Sequence, residues 1–103
     1  MNIMARMTKP EDVGLDGGRL ALIPEYFSSY VDRGKIAGFQ TLVARHGEIA
    51  HFEVRGNRDR ERELPMERDT IFRIYSMTKP ITSLALMMLY EEGHFQLNHP
   101  VSR

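Results

Sequence analysis

The sequence predicts an α/β (α+β) fold built from an amphipathic helix, antiparallel strands and one long buried helix. Three observations support this prediction. Apolar residues recur with helical spacing between residues 16 and 33, two β-branched and aromatic runs flank a His-Gly pair, and a long apolar stretch follows residue 76. At 103 residues the chain is at most one small domain.

The first predicted helix runs from Asp16 to Arg33, and Gly34 is its stop signal. Its apolar face consists of Leu20, Ile23, Phe27, Tyr30 and Val31. Pro24 is awkward inside this helix: either it kinks the helix, or the regular part begins near it. Residues 1–15 are expected to form a flexible lead-in, so that the folded part covers residues 16–103.

Two strands are predicted next, "GFQTLVAR" (38–45) and "EIAHFEV" (48–54), joined through His46 and Gly47. That pair suits a tight hairpin, because glycine accepts a positive φ. Residues 55–69 contain ten charged residues in fifteen and are expected to form a solvated loop. The run "TIFRIY" (70–75) is predicted to be a short third strand.

The last predicted helix runs from about Met77 to Glu92, with Gly93 as its C-terminal cap. Its run Leu84–Tyr90 is apolar all round, so the helix needs neighbours on every side. One face is assigned to the core: Met77, Ile81, Leu84, Ala85 and Met88. Within this chain alone, Leu86, Leu89 and Tyr90 are expected to be more exposed than that set.

Composition excludes several classes of function. Fourteen basic and fourteen acidic residues cancel, which disfavours nucleic acid or an anionic membrane as a partner. There is no cysteine, and the four histidines lack ligand-like spacing, so no metal site is expected. The polar N-terminus lacks the apolar core of a signal peptide, and no run is long enough for a membrane span. These features predict a soluble, cytoplasmic protein.

Ser76 and Lys79 lie where the strand-like run changes into the last helix, three residues apart and on one side of the turn. A serine hydroxyl is a weak nucleophile until a base removes its proton, and a lysine serves as that base only when neutral. Burial and the positive potential of a helix N-terminus disfavour the charged amine. The backbone N–H of Ser76 would stabilise an oxyanion. The alternative is structural: Ser76 as a helix N-cap and Lys79 as a solvated side chain.

The surrounding block, "DTIFRIYSMTKPITSLALMMLYEEGHFQLNHPVS", closely resembles the serine β-lactamase and penicillin-binding-protein superfamily. It is most similar to the class C branch, including family VIII carboxylesterases, and the resemblance covers residues 16–103. It implies a β-lactamase/transpeptidase-like fold, with Ser76 as the acylated nucleophile, Lys79 as its partner and no cofactor. Tyr75, immediately before the serine, either lines the substrate pocket or packs as a strand-end tyrosine.

The chain departs from the family pattern in two places. His99 stands where members usually have an aspartate, which we interpret as a structural turn position. The family's Tyr-x-Asn motif and its later Lys/His-Thr-Gly strand motif have no match after Ser76. The chain therefore resembles the N-terminal portion of a hydrolase domain, with the remainder of the domain absent.

The leading functional hypothesis is acyl-enzyme hydrolysis of small-molecule esters, with weak β-lactam hydrolysis as a side activity. A β-lactamase or D,D-peptidase is the alternative; the esterase is preferred because class C β-lactamases typically carry export signals. A hypothesis of another class is a non-catalytic fragment or subunit that works only by packing with a partner chain. On the first hypothesis the partner is the remainder of the hydrolase domain or a second chain.

Overall fold

The computed structural model describes residues 7–102, and the chain divides into two compact units, one ending at Thr70 and one beginning at Ile71. The first unit contains helices α1 (Gly17–Leu20) and α2 (Leu22–Asp32) and strands β1 (Gly38–Arg45), β2 (Glu48–Asp59) and β3 (Leu64–Pro65). The second contains helix α3 (Thr78–Glu91). These elements confirm the predicted mixture of helices and antiparallel strands.

The predicted first helix is two helices that meet at Ala21. Pro24 has no N–H with which to reach the carbonyl of Leu20, so a continuous helix would leave that bond unmade. Pro24 instead occupies the first turn of α2, where a missing N–H costs nothing. Of the two expectations for Pro24, the regular helix beginning near it is therefore the correct one. Gly34, at φ 70°, ends α2 as predicted.

Strands β1 and β2 form the predicted antiparallel hairpin, and β1 coincides with the predicted run. The turn residues His46 and Gly47 have φ values of 54° and 77°, which match the right-handed twist of the strands on either side. The register shifts after Val43, where Ala50 becomes an extra residue on β2. The alternation of exposed and buried positions is interrupted there, and three consecutive residues are buried: Ala50, His51 and Phe52.

The expectation of a solvated loop over residues 55–69 is wrong in part. Strand β2 continues to Asp59, and β3 pairs with it in a three-stranded sheet of order β1-β2-β3. The Met66 N–H donates to the carbonyl of Gly56 at 2.8 Å, and the Met66 side chain is buried. The charged segment therefore returns to the sheet, where Leu64 pairs with Asp59 and Met66 is buried.

Residues 7–15 also differ from the predicted flexible lead-in. The Thr8 N–H donates to the carbonyl of Ile49 at 2.9 Å, and Pro10–Val13 form a 3₁₀ turn that buries Val13. The apolar side chain of Val13 anchors this segment to the core. The remainder of the predicted lead-in, residues 1–6, lies outside the described residues. The buried apolar side chains of the described chain all belong to the first unit: Val13, Pro24, Phe39, Ala50, Phe52 and Met66.

Residues 70–75, at the junction of the two units, are not the predicted strand. A strand exists through ladder hydrogen bonds to a neighbour, and within the described chain this segment pairs with none. Helix α3 does form where predicted. The Gly93 N–H donates to Tyr90 O and the His94 N–H to Leu89 O, which is the Schellman arrangement expected of a glycine cap.

The predicted burial of α3 is wrong. None of its residues is buried within the described chain, and the assigned core face is the more exposed one. Ile81 and Leu84 are 61% and 64% exposed, whereas Leu86 and Leu89 are 49% and 46% exposed. Tyr90 is half-buried because the ring of Phe95, from the segment after Gly93, packs edge-on against it at 5.7 Å. No helix within residues 7–102 has the length and apolar character needed to cross a membrane.

Candidate active site

Ser76 lies in a short 3₁₀ turn, Tyr75–Met77, that leads directly into α3. Pro80 explains why this turn is not part of the α-helix. An α-helical bond to the carbonyl of Ser76 would come from the N–H of residue 80, and proline has none. The turn closes instead through the Met77 N–H, which donates to Ile74 O at 2.9 Å. Sequence reasoning did not identify this role of Pro80, although the proline four residues after the serine was the available signal.

The structure brings the two predicted catalytic side chains together. Lys79 Nζ donates a hydrogen bond to Ser76 Oγ at 3.3 Å. Neither turn nor helix has a side-chain cap hydrogen bond, and the N-cap of α3 is Met77. Ser76 is therefore not the N-cap of the structural alternative. Within residues 7–102, Lys79 forms no salt bridge, so the hydroxyl of Ser76 is its close polar partner.

The electrostatic surroundings of the pair come from α3 itself. A helix of 14 residues carries a partial positive charge at its N-terminus, and its first turn contains no acidic residue to offset it. Backbone N–H groups at such a start have no acceptor within the helix, which leaves them available to a negatively charged oxygen. The burial expected around Lys79 is not found, since Ser76 and Lys79 are both exposed. Within the described residues, Ser76 and Lys79 are hydrogen-bonded to each other, but no neighbouring side chain excludes water from them.

Tyr75 has an unusual backbone. Its φ of 45° lies in the left-handed region, which an aromatic L-residue adopts at a cost of about 1–2 kcal/mol. Ile74 before it, at φ −100° and ψ 1°, lies in the sparsely populated bridge region. Strained residues of this kind occur preferentially at functional sites. The sequence offers no signal for this conformation, because tyrosine has no preference for it.

The end of α3 opposite Ser76 carries a separate cavity of about 510 Å³. Leu86, Phe95 and Leu97 contribute apolar walls, and two histidines, His94 and His99, contribute polar ones. The Gln96 N–H donates to His99 Nδ1 at 3.1 Å, and the His99 N–H donates to Gln96 O at 3.0 Å. These reciprocal bonds agree with the interpretation of His99 as a turn residue. Within residues 7–102 no cluster of His, Asp or Glu could hold a metal ion.

The sequence is similar to proteins of one known family. The model of the Beta-lactamase family matches residues 23–103. The chain is 39% identical to Esterase EstB of Burkholderia gladioli over 95 residues, which is 91% of this chain and 24% of that protein. It is 30% identical to Protein flp of Staphylococcus aureus over 73 residues, or 71% of this chain and 15% of that protein.

The family match includes both residues of the Ser76–Lys79 pair and most of the described fold. The chain spans about a quarter or less of the length of the curated relatives that it matches. The family model covers well over half of the chain, and the alignment with the esterase covers 91% of it. The chain belongs to the Beta-lactamase family.

Proposed function

We propose that the chain supplies the nucleophile of a serine hydrolase that cleaves carboxylic esters through an acyl-enzyme. The observation that supports this most directly is the 3.3 Å hydrogen bond between Lys79 Nζ and Ser76 Oγ at the start of α3. A serine with a potential base in hydrogen-bond reach is one arrangement by which a serine hydroxyl is activated as a nucleophile. The 39% identity with Esterase EstB supports an ester as the substrate class.

In the proposed reaction, Ser76 Oγ attacks the ester carbonyl while a neutral Lys79 Nζ takes the hydroxyl proton. The backbone N–H of Ser76 donates to the oxyanion of the tetrahedral intermediate. The intermediate collapses, the C–O bond to the alcohol breaks, and Lys79 returns the proton to the leaving oxygen. Water then attacks the acyl-enzyme, which releases the carboxylic acid and restores Ser76.

The exposed state of α3 supports a second part of the proposal. The remainder of the hydrolase domain, or a second chain, would cover α3 and remove water from around Lys79. The exposed apolar residues Ile81, Leu84 and Met88 give that covering partner a surface to bury. Without it, Lys79 stays exposed to water. The competing hypothesis, a non-catalytic subunit that only packs with a partner, shares this surface but not the role of Ser76.

The experiment compares single variants in the hydrolase formed by this chain with the remainder of the domain. Ser76→Ala should abolish turnover of 4-nitrophenyl acetate, and Lys79→Ala should lower kcat by a factor of about 10²–10⁴. Ser102→Ala removes an exposed serine of the same unit and should leave the rate within about twofold. Turnover that survives in Ser76→Ala would favour the packing subunit instead.

A β-lactam is the alternative substrate, favoured by the family to which the chain belongs. We expect kcat/KM to be higher for the nitrophenyl ester than for a chromogenic cephalosporin. Both compounds acylate the same serine, so Ser76→Ala should remove both activities together. A clear preference of the unaltered enzyme for the cephalosporin would reverse the order of the two substrate classes.

A further inference from the structure

Two exposed apolar side chains flank the candidate nucleophile. Tyr75, before Ser76, is 80% exposed, and Met77, after it, is 70% exposed. Among the described residues, no side chain stacks on the Tyr75 ring or accepts a hydrogen bond from its hydroxyl. An aromatic ring and a polarizable thioether, both exposed, are therefore the sequence neighbours of the candidate nucleophile.

The backbone of Tyr75 is in a conformation that disfavours a bulky side chain. Tyr75 is the first residue of the turn that carries Ser76, and its φ of 45° is left-handed. Glycine or asparagine would adopt this conformation more easily. A bulky aromatic residue at a position that favours small ones indicates that the ring itself has a use there.

The charged side chains near Tyr75 in the sequence indicate which kind of acyl group would bind beside it. Residues 71–90 include two basic side chains, Arg73 and Lys79, and no carboxylate. Within this stretch a cationic acyl group would find no carboxylate partner, whereas an uncharged aromatic one would find a ring to stack on and a sulfur for its edge.

We propose that Tyr75 determines acyl specificity: its ring forms one wall of the acyl pocket and selects flat, apolar acyl groups such as arylacetyl over acetyl. This inference rests on the proposed function of Ser76. The ring acts by direct contact with the acyl group, and the phenol hydroxyl takes no part.

The test compares 4-nitrophenyl phenylacetate with 4-nitrophenyl acetate, which share one leaving group, in the complete hydrolase. Tyr75→Gly and Tyr75→Asn remove the ring but tolerate the left-handed backbone, and Tyr75→Phe keeps the ring. We expect Gly and Asn to lower the phenylacetate-to-acetate ratio of kcat/KM by about tenfold, mainly through KM. Tyr75→Phe should keep the ratio within about twofold. Tm should not fall in Tyr75→Gly, because the strain is relieved.

Two outcomes would overturn the proposal, and a control separates them from failure of the proposed function. An unchanged ratio in Tyr75→Gly would exclude contact between the ring and the acyl group. A fall in Tm by several degrees with equal loss on both esters would show a packed tyrosine. Fluorophosphonate labelling of Ser76 should persist in every Tyr75 variant. If the unaltered protein is not labelled, the nucleophile assignment fails and Tyr75 specificity fails with it.

Discussion

The two units of the chain differ in how they treat apolar side chains. The first, up to Thr70, buries Phe39, Phe52 and Met66 and satisfies the buried ring of His51 through Thr41 Oγ1 at 2.8 Å. The second, from Ile71, buries none of its described residues, although it contains the longest helix of the described chain and the candidate nucleophile. The unit with the candidate nucleophile is the one that does not build a core.

This difference shows which part of the fold is determined locally. A hairpin with a helix against it can bury one face by itself: Phe39 of the hairpin is buried, and the ring of Phe27 from α2 packs on it at 5.6 Å. A single helix that is apolar all round cannot bury itself, whatever its propensity. The second unit has a defined start and a defined cap, and it needs neighbours to become stable.

The largest expected contrast comes from truncating one apolar side chain in each unit. Phe52→Ala should cost about 3–5 kcal/mol, because it leaves a cavity beneath the sheet. Leu84→Ala, at a position 64% exposed, should change the stability of this chain by less than about 1 kcal/mol. Amide hydrogen exchange measures both: hairpin protection should collapse in the first variant and stay in the second. An equal loss of amide protection in the two variants would show that the two units do not differ in how much their apolar side chains stabilise them.

Two glycines of the hairpin differ in how much space their surroundings leave for a side chain. Gly56 and Gly47 have φ values of 73° and 77°, so alanine at either meets the same backbone cost of about 1–2 kcal/mol. At Gly56 an added Cβ would lie 2.5 Å from Ala37 O and 2.8 Å from Gly38 Cα, whereas at Gly47 it meets nothing within 4 Å. Gly56→Ala should therefore be clearly the more destabilising in urea unfolding. Equal midpoints for the two variants would mean that strand β2 relaxes at no cost.

The helix start at Asp16 offers a smaller effect in the first unit. Its carboxylate accepts from the Arg19 N–H at 2.9 Å and caps α1. Asp16→Ala should lower the free energy of unfolding by about 1 kcal/mol, and Asp16→Asn should keep most of it. Equal stability of the alanine and asparagine variants would show that the cap contributes nothing.

The smallest effect concerns a tyrosine pair on α2. The hydroxyl of Tyr26 lies 3.0 Å from that of Tyr30, and this hydrogen bond raises the pKa of Tyr26 above its ordinary value. The bond thus favours the neutral phenol and is lost as the pH rises through the raised pKa. Tyr30→Phe should lower the pKa of Tyr26, as read from phenolate absorbance. A pKa that does not move would assign the shift to another cause.

Sequence reasoning located the elements whose signals are local. The pair His46-Gly47 and the caps Gly34 and Gly93 ended or turned the chain where the structure does. The errors arose where a distant neighbour decides the outcome: residues 70–75 need a pairing strand, and the face of Ile81 needs a packed partner.

At the site, the spacing of Ser76 and Lys79 predicted their contact, because three residues at a helix start bring side chains together. The exposure of Lys79 was not predictable, since burial depends on neighbours outside the helix. The left-handed backbone of Tyr75 was not predictable either, since it is imposed against the preference of the residue.

The most direct test of the central claim is to locate the covalent adduct. The complete hydrolase is treated with a fluorophosphonate, digested and mapped by mass spectrometry, beside the Ser76→Ala and Ser102→Ala variants. The adduct should lie on Ser76, disappear in Ser76→Ala and persist in Ser102→Ala, because the attacking oxygen is that of Ser76. An adduct on another residue, or one that survives in Ser76→Ala, would contradict the assignment of the nucleophile.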